Sequence, residues 1–155
     1  MFKTVLEKHR DLGLLILRVG IGISFMFHGL PKLLAGPEMW AQLGGALGLM
    51  GIHFAPTFMG LVAALSEFVG GFLLVIGLFS RTASFFMLNT LIVATIMHLK
   101  LGDDFQKYSH ALELAIVFLS LIFIGPGKFS LDEKFCKVKV KEVLKNEKHA
   151  SLASA

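Results

Sequence analysis

Glu67 is the only ionisable residue in the apolar run from Ala55 to Phe79, A-P-T-F-M-G-L-V-A-A-L-S-E-F-V-G-G-F-L-L-V-I-G-L-F. A carboxylate in such a run can accept hydrogen bonds, pair with a cation or pass a proton. It cannot be left in hydrocarbon cheaply, since an acid at mid-bilayer costs roughly 2.5–3.5 kcal/mol on insertion scales. Gly60, Ala64, Glu67, Gly71 and Leu74 are spaced i, i+4, i+7, i+11 and i+14, one stripe of a helix. The small residues beside the acid let another helix approach closely. The stripe predicts an inner wall, with Glu67 facing what the bundle holds. Arg18 sits inside the preceding apolar run and is expected to meet Glu67 near the midplane. Neither charge is tolerable alone there, so the two form the expected structural pair. A clip between helices and a role in ligand or proton handling both remain open for it.

Three imidazoles fall at the ends of apolar runs: His28, His98 and His110, the last followed one turn later by Glu113. Carboxylates and imidazoles reaching from mid-membrane to one face suit proton transfer beside a quinone-like ligand, whose oxygens such groups can hydrogen-bond and protonate. His28, His110 and Glu113 are the relay candidates on this reading. Arg18, Glu67, Lys32 and His98 are the ligand-binding candidates. Histidines at span ends also occur as interfacial residues bonded to water. Two of them would serve as axial haem ligands, and His110-x-x-Glu113 shares one helical face as metal ligands do. That motif is half of a carboxylate-bridged di-metal pattern, so haem and metal are the lesser alternatives and no metal site is assigned. Asn89 and Ser120 are read as interhelical hydrogen-bonding residues. With Cys136 the single cysteine, there is no disulfide framework and no dithiol pair.

The elements that must position these groups are membrane spans. The chain of 155 residues is 55% hydrophobic and only 17% charged, below the roughly 25% of a soluble domain. Its spacing predicts an all-α integral membrane four-helix bundle with spans at about 12–30, 57–79, 82–99 and 108–124. The second of these is about 34 Å long, enough to cross a bilayer. Residues 1–11 form a polar lead, residues 12–127 the four-span domain, and residues 128–155 a basic tail. Between the first two spans, Pro37 and Glu38 open a short interfacial helix running to about Met50, with Trp40 in the headgroup belt. Gly125-Pro126-Gly127 stops the last span. Seven of the fifteen Lys and Arg lie between Lys128 and Lys148, which argues for anionic lipid contact and against nucleic acid. The positive-inside rule then puts both termini in the cytoplasm. Arg18 inside the first run argues against a cleaved signal peptide.

Taken in order, L-R-V-G-I-G at Leu17–Gly22, H-G-L-P-K-L at His28–Leu33, E-F-V-G-G-F-L-L-V-I-G-L-F-S-R-T-A at Glu67–Ala83 and G-P-G-K-F-S-L-D at Gly125–Asp132 resemble the DoxX family of small bacterial and archaeal membrane proteins. The resemblance covers about Leu12 to Phe135. It implies a four-helix membrane bundle in the cytoplasmic membrane. It also implies redox association, since the family takes its name from a subunit of a thiosulfate:quinone oxidoreductase and mycobacterial relatives are associated with a membrane oxidoreductase complex in oxidative-stress defence. Its motifs single out Arg18, His28, Lys32, Glu67 and Arg81. The expected function is a subunit or small component of a membrane oxidoreductase system binding a quinone-like or amphiphilic ligand. A non-catalytic assembly protein and a small proton or solute carrier are the alternatives. The expected partners are the bilayer, an oxidoreductase subunit and further copies of the chain.

Overall fold

A computed structural model describes residues 2–138; the remainder of the basic tail lies outside the described residues. Helix α1 covers Phe2–Leu34, α2 Pro37–Gly45, α3 Pro56–Ile76, α4 Ser80–Lys100 and α5 Phe105–Ile124, with a 3₁₀ turn at Ala46–Met50 after α2. No strand occurs among the described residues. Four helices are long and apolar enough to cross a membrane: His9–Leu34 within α1, and α3, α4 and α5. The fold is the all-α bundle expected from the spacing, with a short helix between the first two spans.

Local chemistry sets the ends of these helices. Pro37 and Pro56 open α2 and α3, where a missing N–H is no loss. The side chain of Asp104 accepts from the Lys107 backbone N–H and caps α5. Two boundaries differ from the sequence expectation. The polar lead is helical from Phe2 and continues into α1. At its far end α1 runs through Pro31 to Leu34, because a proline in the last turn forfeits only its own N–H bond. The turns beyond it are held by the Ala35 N–H, which donates to the Pro31 carbonyl at 3.0 Å, and by the Trp40 indole N–H, which donates to the Lys32 carbonyl at 3.0 Å. The short helix also differs: α2 stops at Gly45, and the 3₁₀ turn carries the chain on to Met50.

Helix α3 is the hub, packed against α1, α2 and α4, while α5 packs against α4. Its buried residues are Gly60, Ala64, Ser66, Glu67, Gly70, Gly71 and Leu74, which contain the whole predicted stripe. Where α1 crosses α3, Gly22 and Gly71 lie backbone against backbone. Phe25 of α1 meets Phe118 of α5 edge-on at 5.1 Å, closing the ring of four helices. The core between them is Leu14, Phe25, Leu74, Met87, Leu91, Phe118 and Leu121 with small alanines. Phe27, Phe72, Phe85 and Phe123 point outward, an apolar exterior suited to lipid.

Candidate functional site

Glu67 does not pair with Arg18. Its carboxylate is held by Lys32, whose Nζ lies 2.7 Å from Oε1 and 2.5 Å from Oε2. The side chain of Glu67 is 7% exposed and that of Lys32 32%, so the pair is shielded on the acid side and open on the ammonium side. The reason is register. Gly29 lies against the backbone at Glu67 and Phe68, which places Lys32 one turn beyond the acid and within reach of it. Arg18 sits about 20 Å further along α1, at the end of the bundle where α3 and α5 finish.

There Arg18 is fully buried and ties elements together. Its Nη1 donates to the Leu74 carbonyl of α3 at 3.2 Å and its Nη2 to the Phe129 carbonyl at 2.7 Å. The segment Gly125–Asp132 folds back across this end. Asp132 accepts from the backbone N–H groups of Phe79 at 2.8 Å and Ser80 at 3.0 Å, capping α4 from a distant part of the chain. Lys128 reaches the buried Asp11 of α1, Nζ to Oδ2 3.3 Å. Arg81 lies exposed at the same end, its guanidinium beside Gly125. The role of Asp11 and Asp132 in this latch depends on contacts between segments far apart in the chain, which no local pattern announces.

A cavity of about 370 Å³ opens at the other end, between α2, the 3₁₀ turn, α3 and α4. Its walls are mainly apolar, from Met39, Leu43, Leu47, Met59, Val62, Phe86, Val93 and Met97. The polar groups on it are few: the Lys32–Glu67 pair, Ser66, Gln42, Asn89 and Thr90. Ser66 donates to its own helix at Val62, Asn89 to Phe85 and Thr90 to Phe86, which leaves the side-chain carbonyl of Asn89 free to accept. Of the three ammonium hydrogens of Lys32, two are taken by Glu67 and one remains. Gln42, Phe86 and Asn89 are exposed, so the cavity gives sideways onto the surface that faces lipid. Its volume falls at the lower end of the roughly 300–1,000 Å³ of small-molecule sites.

The cavity exists because α2 is pressed onto α3. Gly60 faces the Trp40 carbonyl and Gly44 the Pro56 carbonyl, each too close for a Cβ. The indole N–H of Trp40 is spent on the Lys32 carbonyl rather than on a headgroup.

The other sequence candidates lie elsewhere. His28, His98, His110, Glu113 and Arg18 do not line the cavity. His28 is exposed on α1 beside Phe25, while His110 and Glu113 are exposed on α5. The single relay drawn through Glu67, Glu113 and the histidines is therefore not assembled, because α5 turns its polar flank away from α3. His98 pairs with Asp103 at 2.8 Å, and Lys107 reaches the same carboxylate at 2.7 Å. The hydrogen bonds from Lys107 and then His98 hold the Asp103 carboxyl below its usual range. The turn between α4 and α5 thus has this link above the ordinary carboxylate pKa and loses it as pH falls through the lowered value. No group of three or more His, Cys, Asp or Glu suited to a metal occurs among the described residues.

Fold and site together define a class: a small four-span membrane bundle with a lateral, mainly apolar cavity and one ion pair in its wall. The DoxX family model matches residues 13–99, and the chain belongs to that family. An uncharacterized protein of Haemophilus influenzae (strain Rd) is 35% identical over 85% of this chain and 97% of its own length. A Bacillus subtilis (strain 168) protein named "Putative oxidoreductase CatD" is 36% identical over 75% of this chain and 83% of its own. The inner membrane protein YqjF of Escherichia coli (strain K12) is 30% identical over 82% and 95%. No solved structure matches the chain.

Proposed function

We propose that this protein is the membrane-embedded ligand-binding component of an oxidoreductase system in the cytoplasmic membrane, with both termini in the cytoplasm. It holds the polar head of a quinone-like lipid in the cavity. The observation that carries the reading is the Lys32–Glu67 pair in an otherwise apolar wall reached from the lipid side. A quinone head is a flat apolar ring with oxygens at its edges, and it diffuses within the bilayer. Lys32 has one hydrogen left to donate to a carbonyl oxygen, and Glu67 retains lone pairs to accept from a hydroxyl. Asn89 adds a second acceptor across the cavity. Such a ligand would supply two-electron redox chemistry when bound; the chain's own residues bind it, orient it and keep water away. The name of the Bacillus subtilis relative adds an oxidoreductase context. The electron-transferring partner is a separate subunit on this reading.

The experiment is mass spectrometry with an absorption spectrum on protein extracted with its native lipids. Quinone is expected to copurify, with retention about tenfold lower in Lys32→Met and Glu67→Gln, a loss of one or two charged hydrogen bonds. Helix content should be unchanged. Protein that carries no quinone and binds neither ubiquinone nor menaquinone when offered overturns the reading and favours an assembly role. Retention that is the same in both variants overturns the assignment of the pair.

A further inference from the structure

One polar flank of the molecule is used by neither the cavity nor the latch. Gln106, His110, Glu113, Val117, Ser120 and Ile124 are spaced i, i+4, i+7, i+11, i+14 and i+18 along α5, a single seam over its whole length. All but the half-buried Val117 are exposed. Among the described residues His110 and Glu113 have no hydrogen-bond or ion-pair partner. Glu113 lies about 12 Å from the start of α5, too deep for a headgroup to serve it easily. A carboxylate in that position is stabilised by a donor, and no described residue of the chain supplies one.

We propose that this flank of α5 is the interface between two copies of the chain, packed side by side so that His110 of each copy donates to Glu113 of the other. A second copy fits better than an unrelated subunit, because the seam carries its own donor and its own acceptor one turn apart. Copies inserted by the same charge rule share one orientation, so residues of similar depth meet across a two-fold axis. An interface of that symmetry requires self-complementarity, and the His110–Glu113 spacing supplies it twice. The 3.5-residue repeat is that of a left-handed helix pair.

The test is oxidative cross-linking of the full-length chain in native membranes, in a Cys136→Ser background with one cysteine added. Val117→Cys and Ser120→Cys on the seam are expected to form chain dimers. Leu112→Cys and Leu119→Cys on the other flank of α5 should do so about tenfold less, since disulfides demand close Cα atoms. Adding Glu113→Ala should lower the Val117→Cys dimer roughly tenfold, as expected for losing two interhelical hydrogen bonds. Absence of dimers at the seam, equal yields on both flanks, or cross-links to a chain of different mass would each overturn the proposal. Quinone retention by the same samples reports on the cavity separately, so the two proposals fail independently.

Discussion

At the residue scale, two cations of the same helix have opposite employments. Lys32 is part-exposed and serves an acid on the cavity wall, whereas Arg18 is fully buried and serves two backbone carbonyls. The division follows side-chain chemistry. A planar guanidinium bridges two carbonyl groups of different elements at once, and an ammonium point charge sits well between two carboxylate oxygens. Arg18→Gln should therefore destabilise the fold by about 2–4 kcal/mol, the worth of one or two hydrogen bonds to a charged group. Thermal unfolding in detergent measures it, and ligand retention at the cavity should not change. Arg18→Lys should recover only part of the loss, because one ammonium cannot reproduce both bonds with the same geometry. The acid at Glu67 and its need for a cation were legible in the sequence. The identity of that cation was not, because the choice between Arg18 and Lys32 depends on how far α1 slides along α3.

At the element scale, the cavity is a product of α2. Without that helix the first half of α3 would face lipid, and the Lys32–Glu67 pair would have no wall around it. The contact is made through backbone, Trp40 and Pro56 carbonyls against Gly60 and Gly44. Gly60→Ala inserts a methyl group where there is no room, and α2 must move away. A cost of about 1–3 kcal/mol is expected for such overpacking. The decisive measurement is ligand retention beside thermal stability: retention should collapse in Gly60→Ala while α1, α3, α4 and α5 stay helical by circular dichroism. Pro37 and Glu38 announced the start of a short helix. Its docking along α3 was not readable, because α2 has too few residues for a hydrophobic stripe to choose between a membrane surface and a helix partner.

At the scale of the whole molecule, the bundle is locked at the end where α3 and α5 finish and open at the other. The segment from Gly125 to Asp132 joins α1 through Asp11 and Arg18, and the α3–α4 turn through Asp132. A chain stopped after Gly127 loses the Phe129 carbonyl, the remote cap of α4 and the cation on Asp11 together. A fall in stability of about 3–5 kcal/mol is expected, because Arg18 keeps only the Leu74 carbonyl and Asp11 only the exposed Arg10 at 3.6 Å. Accelerated unfolding of the purified truncated chain would register it, with proteolysis expected first at the α3–α4 turn. Ligand binding to the fraction that remains folded should be retained, since the cavity lies at the opposite end. On the proposed reading, a latched base and an opening at the other end let an apolar ligand exchange while the fold is kept.

The sequence by itself determined that four helices are long and apolar enough to cross a membrane, that α3 is the inner helix and that Glu67 points inward. Each follows from local rules: apolar length, helical periodicity and the cost of a charge in hydrocarbon act on residues close together in the chain. Only the tertiary structure decided which cation reaches Glu67, that Arg18 belongs to a latch, and that His110 and Glu113 face away from the cavity. Those outcomes depend on the relative slide and rotation of packed helices. A shift of one turn, or a rotation of about 100° per residue, exchanges one partner for another without changing any pattern along the chain.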